Sequence, residues 1–112
     1  NEDCEDLIHS QMEVSFDNNP VVGENFNELL KATLEYWTLD KLKKTLGAVP
    51  MSVHKRNHAL NSIKYSLYRL GSPHIKFEQL NGNFKKQKNF NLGTASGYLN
   101  FLSRESQRAL LK

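Results

Sequence analysis

Apolar residues recur at helical spacing through most of the chain. The cleanest run is 25–37, where Phe26, Leu29, Leu30, Thr33, Leu34 and Trp37 fall at i, i+3, i+4, i+7, i+8 and i+11, one side of a 3.6-residue period. Asn25 and Glu28 resemble a capping box at its start, with Asn in place of Ser or Thr. The rhythm breaks at Thr38, which suits the cap of a second helix with Asp40 favourably placed in the first turn. Leu39, Leu42 and Leu46 give that helix a narrow apolar stripe, and Gly47 fits the left-handed residue that ends a helix. A loop containing Pro50 leads to Ser52, the expected cap of a long helix over 52–70. Val53, Leu60, Ile63 and Leu67 share one side of it, and His54, Lys55, His58, Asn61, Ser62, Tyr65 and Arg69 the other. Gly71-Ser72-Pro73 stops it.

The pattern then changes. Residues 74–80 and 84–92 flank Asn81-Gly82, the pair that favours a tight β-hairpin because both turn residues need positive φ. In that reading Ile75, Phe77 and Leu80 face the core, with Phe84, Phe90 and Leu92 on the return strand. A last helix is expected over 94–112, with Tyr98, Leu99, Phe101, Leu102, Leu110 and Leu111 as its apolar surface. Its stretch 103–108 is polar throughout and reads as exposed or partner-facing. The first 23 residues are less periodic. Residues 6–11 suit a short helix, 13–16 alternate as a half-buried strand does, Asp17-Asn18-Asn19-Pro20 is a turn, and 21–23 suit a second short strand.

Three helices, a hairpin and a further helix make the element order of a winged helix. The expected fold is therefore α+β, mainly α: a winged-helix-like three-helix core with a β-hairpin wing and an additional C-terminal helix. All 112 residues form one domain in this reading, with 1–23 as an acidic arm or short strands and 24–112 as the core. The resemblance lies in architecture, with no signature residues behind it. A second resemblance covers 37–60, about a quarter of the chain. Leu39, Leu42, Leu46-Gly47, Pro50 and Lys55 stand near the positions of a SAP-type helix–extended loop–helix module. The apolar residue expected soon after the lysine is displaced to Leu60, and the glycine before it is missing. Both families imply nucleic-acid binding.

Composition narrows the class. With 38% apolar and 24% charged residues the chain suits an ordinary globular domain. No run approaches the roughly 20 apolar residues that span a bilayer, and the start carries no signal-peptide pattern. A chain opening on Asn reads as a piece or processed product of a longer one. A single cysteine, Cys4, forms no internal disulfide and points to a reducing compartment, nucleus or cytoplasm. Charge is the sharper signal. Residues 1–40 hold ten acidic side chains and one basic, Lys31, whereas 41–112 hold two acidic, Glu78 and Glu105, and fourteen basic. Such asymmetry fits polyanion binding, an acidic segment facing a basic one, or a folded dipole with no specific partner.

The residues suited to nucleic acid are Lys41, Lys43 and Lys44, then Lys55, Arg56, His58 and Asn61 on the long helix, then Lys85, Lys86 and Lys88 on the wing. Phosphates call for long cations on a rigid element, and base edges for Arg, Lys, Asn or Gln projecting into the major groove. A solvated helix face carries the same residue types, and hairpin lysines also discourage strand-edge pairing. If five or six phosphates are neutralised, the log–log salt slope is about −4 to −5. His54 and His58, four apart, suit one metal ion but lack a third ligand beside the scattered Cys4, His9 and His74. Asp3, Cys4, Glu5, Asp6 and His9 cluster without a nucleophile motif, and Gly93 and Gly97 form no phosphate loop. The expected function is non-catalytic binding of nucleic acid, duplex DNA above all, with 52–70 in the major groove and 74–92 on the backbone. No cofactor or metal is implied. The alternative is a protein-interaction or homodimerisation domain of the same shape, using Tyr98, Phe101, Leu102 and Leu110 of the last helix.

Overall fold

The computed structural model describes residues 24–111. The short elements expected over 6–23, the acidic arm, and the cluster around Cys4 and His9 lie outside the described residues. Five α-helices follow in order: α1 (Glu24–Tyr36), α2 (Leu39–Ala48), α3 (Val53–Arg69), α4 (Gly82–Lys85) and α5 (Leu92–Leu110), with a 3-10 turn at Phe77–Gln79 between α3 and α4.

The first three helices form where local chemistry directs them. Trp37, at the end of the α1 stripe, is buried, and its indole Nε1 donates to the Leu102 carbonyl at 2.9 Å, tying α1 to α5. Thr38 caps α2 by accepting from the Lys41 backbone N–H at 3.2 Å, and Ser52 caps α3 by accepting from that of Lys55 at 3.2 Å. Leu42 and Leu46 are buried beneath α2. Gly47 lies inside α2 with ordinary helical backbone; Gly71, at φ 99°, is the one residue with positive φ among those described, just beyond α3. The connection from α2 to α3 is extended at Val49 and Ser52, so the helix–extended loop–helix order read over 37–60 is present.

The hairpin wing is not. No strand occurs among the described residues, which form a small helical domain, and the winged-helix expectation is corrected accordingly. Asn81 adopts φ −63° and ψ 145°, and its side chain accepts from the Asn83 backbone N–H at 3.0 Å. It caps a short helix instead of opening a turn of positive φ. Ile75 and Leu80 are buried five residues apart, an odd spacing that an alternating strand would place on opposite faces, and Phe84 and Phe90 are half-buried. Phe77, expected inside, is 44% exposed. Donors from α3 satisfy the carbonyls of this irregular segment: Lys64 Nζ reaches Gln79 O at 2.7 Å, Tyr65 Oη reaches Asn89 O at 3.1 Å, and Arg69 Nη1 reaches Lys88 O at 3.1 Å. These bonds replace the ladder that a hairpin would have made with itself.

The core joins Leu34 and Trp37 to Leu42, Leu46, Ile63, Leu67, Leu99 and Leu102. Helix α5 packs along α1 and against α3. Its polar stretch is exposed on one side only: Ser103, Ser106 and Gln107 are buried, whereas Arg104 and Arg108 are exposed. The Ser106 hydroxyl donates to Ser103 O at 2.9 Å, and Gln107 Nε2 donates to Ser103 O at 3.1 Å and Oγ at 2.9 Å, so these donors find partners within their own helix, while Gln107 Oε1 is buried with no partner among the described residues. Small residues there and at the fully buried Thr33 on α1 suit a close helix–helix approach. Val53, expected on the apolar stripe of α3, is 68% exposed at its first turn.

Candidate nucleic-acid interface

Helix α3 was expected to offer one free polar face. Half of it is covered. Tyr65 and Ser66 are buried, and the Tyr65 ring packs on Phe84 at 5.1 Å and edge-on to Phe90 at 6.1 Å between centroids. Arg69 closes this side: its guanidinium lies 5.7 Å from the Tyr65 and Phe90 ring centres, and Nη1 donates to Tyr65 Oη at 2.9 Å. The N-terminal half of the face stays open, with His54, Lys55 and His58 exposed and Asn61 half-buried.

Between α3, the 84–91 segment and the start of α5 lies an open groove of about 480 Å³. Its rings are Tyr65, Phe84, Phe90 and Tyr98. Amides from Gln87, Asn89 and Asn91 line it together with His58, Ser62 and Ser66 of α3. Asn91 Oδ1 is engaged as the cap of α5, accepting from Gly93 N at 2.9 Å. Lys85, Lys86 and Lys88 are exposed on the segment that carries the amides. Lys86 stands just past the end of α4, and Lys85 Nζ lies 5.7 Å from the Phe77 ring centre.

The other expected contacts are placed differently. Arg56 turns inward: Nε donates to Leu46 O at 3.0 Å, and Nη2 to Val49 O at 3.1 Å and Met51 O at 3.3 Å. It fastens the α2–α3 connection, which is a structural use of its charge. Lys41 Nζ sits 4.0 Å above the Tyr36 ring and donates to Tyr36 O at 3.3 Å. Lys43 and Lys44 are exposed on α2. Lys43 lies close enough to Lys64 to act on its titration: burial lowers the Lys64 ammonium pKa below the usual 10.5, and the Lys43 charge lowers it further. Lys64 and Lys55 are nine residues apart, about half a turn round α3, so the α2 lysines and the Lys55–His58 stripe do not share one side of that helix.

Lys55, Lys85, Lys86 and Lys88 have no carboxylate partner among the described residues. The one ion pair among the described residues joins Arg108 to Glu105 at 2.9 Å, on α5. No third His, Cys, Asp or Glu joins His54 and His58 into a possible metal set within those residues. His74 Nε2 is committed to Glu35 O at 2.7 Å.

No known family model, curated protein or solved structure matches this chain. Of the lining, His58, Ser62 and Tyr65 lay on the expected polar face of the long helix, whereas Phe84, Gln87, Asn89, Phe90 and Asn91 were not among the expected site residues. Their signal is present in Lys85-Lys86-Gln87-Lys88-Asn89-Phe90-Asn91, where amides interleave with lysines beside a ring; treating the stretch as a strand hid it. The C-terminal helix offers less interface than expected, since Leu102 is buried in the core and Tyr98 and Phe101 half-buried, leaving Leu110 at 58% exposure. No helix of the described residues is long and apolar enough to cross a membrane.

Proposed function

We propose that this domain binds nucleic acid without catalysis, with duplex DNA as a ligand, holding phosphates with Lys55, Lys85, Lys86 and Lys88. The observation that carries the reading is that these exposed cations have no carboxylate partner among the described residues, and that Lys85, Lys86 and Lys88 alternate along the chain with Phe84, Gln87, Asn89 and Phe90, which line the groove. Unpaired lysines on fixed elements neutralise phosphates and release counterions at little desolvation cost. The open first half of α3, with His54, Lys55 and His58, is the part able to approach a major groove; its second half is occupied by the 84–91 segment. Phosphate tracking by a β-wing forms no part of this reading, and Lys85–Lys88 act from an irregular segment instead.

The test is a titration of labelled duplex at low and moderate salt, with particle mass measured alongside. The expected result is micromolar binding at low salt that survives scrambling of the sequence and falls with a log–log slope of roughly −3 to −4, from four phosphates. No binding at low salt together with a dimer mass would overturn it in favour of an interaction domain.

A further inference from the structure

We propose that the groove over α3 seats an unpaired nucleobase, with the adjoining phosphate held by Lys86 and Lys88. This rests on the nucleic-acid reading above and deepens it, because it names the form of nucleic acid the site prefers. At about 480 Å³ the groove falls in the range of ligand pockets and cannot admit a helix or a duplex. Phe84, Phe90 and Tyr98 are half-buried, so each ring keeps part of its surface open to the groove. Stacking on such rings is how single strands are held without dependence on sequence.

Gln87 and Asn89 are exposed beside the rings, and their side-chain amides have no hydrogen-bond partner among the described residues. Each offers a donor and an acceptor, the complement of a base edge. A purely apolar ligand would leave these amides and His58 unmatched. An acidic peptide would meet the lysines but give the rings nothing planar to stack on. Among the described residues no carboxylate lines the groove to repel a phosphate. Arg69, lying against Tyr65 and Phe90 and bonded to Lys88 O, holds the ring side and the lysine segment in one arrangement.

The experiment compares three probes at one salt concentration: a short oligothymidine, a blunt duplex of equal phosphate count, and adenosine monophosphate as a competitor. Oligothymidine is expected to bind at least roughly fivefold tighter than the duplex. Gln87→Ala with Asn89→Ala, both surface changes, should lower that preference severalfold. Phe90→Leu should do the same, with its melting temperature recorded. If that variant fails to fold, the amide pair still decides. Competition by adenosine monophosphate shows that a free nucleotide suffices; strand binding without it shows that the seat needs a connected chain. Either result supports the seat. Equal binding of strand and duplex, with neither amide nor ring variant shifting the ratio, overturns the seat and leaves the phosphate reading standing. Absence of binding to every probe at low salt overturns both.

Discussion

Arg56 shows how a charge read from sequence as a surface contact becomes part of the frame. Its three bonds to the carbonyls of Leu46, Val49 and Met51 span the end of α2 and the connection to α3. Bonds from a charged donor contribute more than neutral ones, so Arg56→Met should lower stability by about 2 kcal/mol in urea denaturation while leaving duplex affinity close to the parent. Lys64 is a second case. Its folded pKa is lowered, by burial first and by Lys43 second, so the unfolded chain holds that proton more tightly than the folded one. Stability should therefore rise with pH as the solution passes through the folded value toward 10.5. Lys64→Met should abolish that rise, and Lys43→Gln should move the Lys64 titration, followed by NMR, upward.

At the level of elements, the helices announced themselves through caps and stripes, and the wing did not form. A cap is a contact between residues two or three apart, so Thr38 and Ser52 could be read locally. Asn81-Gly82 is ambiguous locally: the same pair opens a hairpin when both φ are positive and caps a helix when Asn81 is extended. The choice belongs to Lys64, Tyr65 and Arg69, which bind carbonyls from Gln79 to Asn89 across the chain. Gly82→Ala separates the two outcomes. As the first residue of α4, with nothing within 4 Å of an added Cβ, it should gain about 0.5–1 kcal/mol in thermal or chemical denaturation. In a hairpin turn of positive φ the same change would destabilise. For α5, the polar stretch 103–108 misled because the Ser106 hydroxyl and the Gln107 amide N–H bond to the preceding turn and so can be buried, with Gln107 Oε1 left unpartnered among the described residues.

For the whole molecule, the question is whether the positive charge gathers. The lysines are not neutralised by carboxylates among the described residues, but they divide between the α2 side, with Lys43 beside Lys64, and the groove side, with Lys55 and Lys85–Lys88. Hence the salt slope expected from the four groove-side lysines is shallower than the roughly −4 to −5 expected for five or six neutralised phosphates. Lys55→Glu with Lys86→Glu should weaken duplex binding by roughly tenfold or more at low salt, with the melting temperature held, since both side chains are exposed. Binding equal to the parent would show that phosphates dock elsewhere.

The sequence by itself determined helices α1, α2, α3 and α5 to within a few residues, the caps at Thr38 and Ser52, the stop at Gly71 and the excess of cations after residue 40, because each depends on neighbours within a turn or on composition. Only the tertiary structure decided the course of residues 74–91, the burial of Tyr65 and Ser106, and the inward turn of Arg56. Those outcomes depend on which donors meet which carbonyls between distant residues, and no spacing along one strand of text carries that information.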